Sequence, residues 1–249
     1  MNRTNRENSL ILFSLSILPT IAFFIPLYFS CKNNSDSNLY KFFFNGLYIQ
    51  ASSTYLFFVA VIFVVFRYKY LKNEITVLNR KISLESIKLI TTKEAFQLLA
   101  AIPEKYRYAI SFHRMGELLN GYIHKEAINS LNQELYRREL EQIERGHIIL
   151  TTLRQVIPAI GFLGTVVGLS QGMAKFPELA ASAGNIGSLK FVLKDFASSL
   201  SVAFNTTLLA LGYTIVVLLI ASLLRRREET FVTEVDEKAR ILISKLQPK

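Results

Sequence analysis

The sequence predicts an all-α, polytopic membrane protein with four transmembrane helices and one sizeable helical cytoplasmic segment, and three observations carry that prediction. The chain of 249 residues is 51% hydrophobic with a mean hydropathy of +0.29, too apolar for an ordinary soluble domain of this size. Its apolar residues fall in four blocks, Ser9–Phe29, Leu47–Phe66, Val156–Met173 and Val202–Leu224, none of which contains Asp, Glu, Lys or Arg. Each block approaches the roughly 20 residues needed to cross a hydrocarbon core. Finally, basic residues gather at the ends of these blocks.

The first block follows Arg3 and Arg6. It is longer than the apolar core of a signal peptide, carries Pro19 and Pro26 and lacks a small-residue cleavage site, so it is expected to be a membrane span. Cys31 is the only cysteine, which rules out an intrachain disulfide and a thiol-based zinc site. Arg67, Lys69 and Lys72 follow the second block, Arg154 precedes the third, and Arg225, Arg226 and Arg227 follow the fourth. If the chain crosses four times, all these groups fall on one side, which the positive-inside bias makes the cytoplasm. Both termini are then expected inside, with short outside loops at about Ser30–Gly46 and Ala174–Ser201. The net charge of +10 is explained by this distribution and predicts no nucleic-acid partner.

Four regions follow: an N-terminal hairpin of spans (1–66), a helical cytoplasmic segment (67–150), a second hairpin (151–224) and an amphipathic tail (225–249). In the segment, apolar spacing predicts helices over Arg67–Ile90, Thr92–Ala101, Pro103–Leu119 and from Lys125 onward. Thr91 to Glu94 can form a capping box, Pro103 suits a first helical turn, and Asn120-Gly121 suits a helix stop. Gly146 is isolated, so the helix from Lys125 is expected to run into the third span. In the tail, Phe231, Val235, Ala239, Leu242 and Leu246 recur at helical spacing.

The candidate chemistry lies in the last two spans. Gly161, Gly164, Gly168 and Gly172 recur at steps of three and four, which places them on one helix face and lets another backbone approach closely. Thr165 shares that face. The fourth span answers with Ser199, Ala203, Thr207, Ala210 and Thr214, with Asn205 and Thr206 beside them. Small residues and hydroxyls also serve plain helix packing, and a scaffold without ion conduction is the alternative reading. Asn205, Thr206 and Thr207 together, however, are costly in lipid unless they face protein or water. These spans contain no Asp, Glu, His or Lys, so a titrating carboxylate for proton transfer is expected from another chain. Asp195 reads as a surface residue near the start of the last helix. His113, His124 and His147 lack metal-ligand spacing and read as solvated or structural. With no nucleophile beside a base and no phosphate-cradling loop, neither enzymatic activity nor a metal or organic cofactor is expected.

Ile157-Pro158-Ala159-Ile160-Gly161-Phe162-Leu163-Gly164-Thr165-Val166-Val167-Gly168-Leu169, followed by Ala203-Phe204-Asn205-Thr206-Thr207-Leu208-Leu209-Ala210-Leu211 and an Arg-rich exit, resembles the MotA/TolQ/ExbB proton channel family. The resemblance covers about Ile148–Glu229, and four spans with both termini inside resemble the flagellar stator branch. It implies a homopentameric ring in the bacterial inner membrane around a dimer of MotB/ExbD/TolR-like single-span partners, each with a membrane Asp. Thr165 and Thr207 match the family's pore-lining threonines, with Thr206 and Asn205 beside them. Pro158 matches a helix-kinking proline. Gly161, Gly164, Gly168, Gly172, Ala203 and Ala210 are then expected to pack toward the ring axis. Ala210 departs from the glycine frequent in the TolQ/ExbB pattern. The ion is H+ or Na+, and flagellar torque, TonB- or Tol-like work on the outer membrane, gliding and defence all stay open as outputs.

Overall fold

The computed structural model describes residues 14–32, 47–81, 90–100, 109–181, 184 and 186–246. Among these residues the helices are α1 (Ile17–Lys32), α2 (Leu47–Lys81), α3 (Thr92–Ala100), α4 (Ile110–Ile123), α5 (Ile128–Met173), α6 (Phe176–Ala181) and α7 (Ile186–Lys245). Extended pairing among them is limited to an isolated parallel bridge between Ile90 and Leu246. Three helical stretches, Leu47–Asn79, Ile128–Ala181 and Ile186–Lys245, are long and apolar enough to cross a membrane. The predicted span Ser9–Phe29 starts outside the described residues; its described part belongs to α1, which is 16 residues long.

The chain divides into two compact units, one of Met1–Val64 with Ile149–Ala221 and one of Val65–Ile148 with Ser222–Lys249. The first is the apolar unit. Its core is Val59 and Ala60 of α2, Leu150, Leu153 and Ile157 of α5, and Ala210, Val217 and Ala221 of α7. Phe57 of α2 stacks on Tyr213 of α7, with ring centroids 4.5 Å apart. The second is the polar unit. Leu71, Leu78, Met115, Leu118 and Leu119 are buried there, together with Phe231, Val232, Val235, Ala239 and Leu242 of α7. The expected amphipathic tail is therefore the end of α7, and its periodic apolar residues are buried.

Several sequence-based boundaries need correction. Ala174–Ser201, expected as a loop, holds α6 and the first four turns of α7. Leu189, Val192, Phe196 and Leu200 recur at helical spacing there, and no proline lies between Pro177 and Pro248 to end a helix. Asp195 is exposed, as expected, but lies inside α7 rather than near its start. The stop expected at Asn120-Gly121 is also displaced. α4 runs on to Ile123, and the chain turns at His124 and Lys125, where Lys125 has φ 62°. Gly121 serves packing instead: a Cβ there would stand 2.6 Å from Leu131 Cδ2. The helix expected from Pro103 begins, in its described part, at Ile110; Pro103 itself lies outside the described residues.

The capping box forms as read. The Thr91 backbone N–H donates to Glu94 Oε2 at 2.7 Å, and the Glu94 N–H donates to Thr91 Oγ1 at 3.3 Å. The Thr91 N–H and the Thr91 hydroxyl, which also reaches Glu94 Oε2 at 2.9 Å, hold the Glu94 carboxyl below its usual range.

Candidate functional site

Glycine sets how closely α5 and α7 approach. A Cβ at Gly161 would stand 2.5 Å from Ala210 Cβ, and one at Gly164 would stand 2.3 Å from Thr206 Oγ1. At Gly168 it would meet Ala203 Cβ, Ala203 N and Ser199 O, all at 2.8 Å. Gly172 is looser, 3.4 Å from the Phe196 ring. The structure thus places all four glycines, with Ala203 and Ala210, in the seam between α5 and α7 of one chain. Steps of three and four residues keep one face of α5 on that seam over three turns.

The seam brings Thr165 and Thr207 together. Their hydroxyls are hydrogen-bonded to each other, and each reaches a backbone carbonyl of the opposite helix. Thr165 Oγ1 lies 3.1 Å from Ala203 O, and Thr207 Oγ1 lies 3.0 Å from Gly161 O. Each also reaches a carbonyl of its own helix, at 3.5 Å for Thr165 and 3.2 Å for Thr207. A hydroxyl has one proton to donate and two lone pairs to accept with. Two protons are therefore shared among more acceptors than they can serve at once, and the pair keeps lone pairs available. Both threonines are half-buried.

The other predicted residues are placed differently. Thr206 is buried, donates to Val202 O or Ala203 O at 3.0 Å on its own helix, and packs its Cβ toward Gly164. Asn205 donates from Nδ2 to Ser201 Oγ at 3.3 Å, also within α7. Pro158 lies inside α5, where it removes one i→i−4 hydrogen bond without ending the helix. Sequence reading missed a second polar face. Gln50, Ser53 and Thr54 of α2 are buried, and Thr54 Oγ1 donates to Gln50 O at 2.7 Å while meeting Tyr213 OH at 3.0 Å. Because Thr54 has spent its proton, Tyr213 is the donor in that pair. The four-residue step from Gln50 to Thr54 was the available signal.

Ionised groups collect in the polar unit. Arg67 of α2 pairs through Nε and Nη2 with the Glu228 carboxylate of α7, and Glu228 Oε2 lies 2.8 Å from His147 Nε2 of α5. Burial works against the charged Glu228, but the hydrogen bonds from His147 and Arg67 outweigh it and hold its carboxyl below the usual range. His147, expected to be a lone histidine, is thus buried and paired. Gly146 makes room for this group, since a Cβ there would stand 1.8 Å from Arg67 Nη1. Among the described residues no cluster of His, Cys, Asp and Glu has the arrangement of a metal site.

The family model described as the MotA/TolQ/ExbB proton channel family matches residues 105–237, more than half of the chain. The match contains Thr165 and Thr207 and begins well before the motif-bearing stretch, so it also takes in α4 and the first part of α5. No curated protein and no solved structure matches this chain.

Proposed function

This chain belongs to the MotA/TolQ/ExbB proton channel family, and we propose that it is the ring subunit of an ion-motive-force-driven, two-component motor in the bacterial inner membrane. In this reading a homopentamer surrounds a dimer of single-span partners, and each partner brings the membrane Asp that α5 and α7 lack. The observation that carries the reading is the Thr165–Thr207 pair, with more acceptors than protons, between two apolar stretches, Val156–Met173 of α5 and Val202–Leu224 of α7, that contain no Asp, Glu, His or Lys. As the partner's Asp gains and loses a proton, the two hydroxyls can accept from the acid or donate to the carboxylate. In this reading the Gly/Ala seam holds α5 and α7 at backbone distance and so fixes the two hydroxyls where the partner's Asp meets them. The driving force suffices for such steps, since one charge crossing 100 mV gains about 2.3 kcal/mol.

Thr165→Val with Thr207→Val tests this proposal. Val keeps the shape and removes both hydroxyls, and the four carbonyls they reach remain in helices, so assembly is expected to survive. Hydrogen bonds to charged groups contribute about 1.5–3 kcal/mol, which predicts a loss of about 10- to 100-fold in ion uptake by vesicles holding the chain and its partner. Restoring one hydroxyl as Ser is expected to recover part of the flux. A second reading, a scaffold without conduction, draws support from the bonds of the two hydroxyls to Ala203 O and Gly161 O, which also serve plain packing of α5 on α7. It predicts unchanged uptake in the double variant. Uptake driven by a sodium gradient rather than a pH gradient would keep the architecture and change the ion.

A further inference from the structure

Arg114 of α4 has 0% of its surface exposed, and its guanidinium stays charged at any working pH. Helices α5 and α7 supply its partners. Nη1 donates to Glu139 Oε2 at 2.8 Å, Nε and Nη2 donate to Asn132 Oδ1 at 3.2 and 3.0 Å, and Nη2 also donates to Asp236 Oδ1. The two carboxylates are not equally supported. Asp236 accepts further bonds from Asn132 Nδ2 at 3.1 Å and from Arg240 Nε at 2.8 Å. Glu139 shares Arg114 with Asp236 and, among the described residues, gains no second cation.

Two carboxylates around one buried cation repel each other, and the less supported one is the better proton acceptor. Burial pushes the Glu139 carboxyl up to about 7, with Arg114 opposing the rise and Asp236 adding to it. The charged groups facing Glu139 are Arg114 from α4 and Asp236, backed by Arg240, from α7. On α5 itself the cluster holds neutral Asn132 and Tyr136, whose ring centre lies 5.6 Å from the Arg114 guanidinium. An open cavity of about 340 Å³, lined by Asn132, Tyr136, Arg137, Asp236 and Arg240 among others, gives water a way to the cluster.

We propose that this cluster is a proton-binding site of the polar unit, in which Glu139, whose side chain is 11% exposed, takes a proton from water and exchanges its ion pair with Arg114 for a weaker neutral hydrogen bond. One O–H bond forms on the carboxylate and one breaks on hydronium. The net charge of Arg114, Arg240, Glu139 and Asp236 passes from zero to one positive. Asn132 and Asp236 hold Arg114 in place in both states, so protonation softens the link between α4 and α5 and leaves the link to α7 intact. The folded protein keeps this proton to higher pH than the unfolded chain, whose carboxyl has the ordinary value of 4.5. The stability this proton contributes is therefore fully present below the ordinary value and is lost as the pH rises through about 7.

The test uses the full chain in detergent and needs no ion flux. Infrared difference spectra between about pH 5.5 and pH 8.5, a window above ordinary carboxyl titration, should show a protonated-carboxyl band in the parent that Glu139→Gln lacks, apart from any band of Glu74, whose carboxyl burial also pushes up and which Glu74→Gln identifies. Asp236→Asn removes the repelling carboxylate and should move the band's midpoint to lower pH by about a unit or more. Glu139→Asp keeps the acid on a shorter stem and covers the case in which Glu139→Gln does not fold; its band should persist with a changed midpoint. A parent without the band, survival of the same band in Glu139→Gln, or a midpoint unmoved by both Asp236→Asn and Glu139→Asp would overturn the proposal.

Discussion

The two units share α2, α5 and α7 yet are held together by different chemistry. In the apolar unit the buried polar side chains are uncharged, among them Gln50, Ser53, Thr54 and Thr206, and the closest helix contact is made by glycine against alanine, threonine and backbone. In the polar unit Glu74, Arg114, His147 and Glu228 are buried, and the salt bridges of Arg114 and Glu228 run between helices. The solvent explains the contrast. Lipid tails are as apolar as the helices, so burial against lipid gives little driving force and association rests on close packing and hydroxyl–carbonyl bonds. Water drives the polar unit's apolar residues inward, and the resulting core tolerates an ion only when its hydrogen bonds are met.

That contrast ranks the mutations. The largest effect is expected from Arg114→Ala, which leaves the half-buried Glu139 and Asp236 without their shared buried cation. Breaking a buried pair in this way costs about 3–5 kcal/mol. Chemical denaturation of the full chain, followed by a probe in the polar unit, measures it. A loss of under about 1 kcal/mol would place Arg114 with ordinary surface ion pairs and break the contrast.

Gly168→Ala comes next. Its new Cβ would meet Ala203 N and Ser199 O at 2.8 Å, and these are backbone atoms that move only if a helix moves. Overpacking of this kind costs about 1–3 kcal/mol. Gly172→Ala is the internal control, because its nearest neighbour is the Phe196 ring at 3.4 Å. Disulfide crosslinking between cysteines placed on α5 and α7 should slow in the first variant and hardly change in the second. Equal behaviour of the two would show that the seam tolerates side chains and does not set the helix separation.

Legibility in the sequence follows the same division. The long apolar helices and the face shared by Gly161, Gly164, Thr165 and Gly168 were readable, because a span writes itself in a run of neighbours and a shared face depends only on helical spacing. The role of Arg114 was not readable. Its partners Asn132, Glu139 and Asp236 stand 18, 25 and 122 residues away, and nothing local separates an arginine that folds inward from one that faces water. Gly121 and Gly146 misled or stayed silent for a related reason: each makes room for a side chain, Leu131 and Arg67, that only the tertiary structure brings near. The start of α7 was placed too late because hydropathy marks where a helix enters lipid, while hydrogen bonding, which hydropathy does not report, marks where the helix begins.

The smallest expected effect is at Gly212, and it is the one that reaches beyond the single chain. Unlike Gly161, Gly164 and Gly168, this glycine has no atom within 4 Å of where its Cβ would stand, and it is exposed on α7 beside Leu208, Leu211, Ile215 and Val216, all exposed as well. Among the described residues, then, nothing requires a glycine there. A Gly in a helix interior is less favourable than Ala by up to about 1 kcal/mol, so Gly212→Ala should stabilise the isolated chain slightly or leave it unchanged. If this face meets lipid in the assembly, the same small gain is expected there. If a helix of a neighbouring copy or of the partner crosses at backbone distance, the added methyl should instead weaken the assembly, as it does in small-residue helix contacts. Thermal stability of the dispersed chain and the stoichiometry of the detergent-extracted complex, measured side by side, separate these cases. We expect unchanged stability with reduced assembly, because in the proposed ring the outward face of α7 would meet a neighbour, and unchanged assembly would assign Gly212 and its apolar surroundings to lipid.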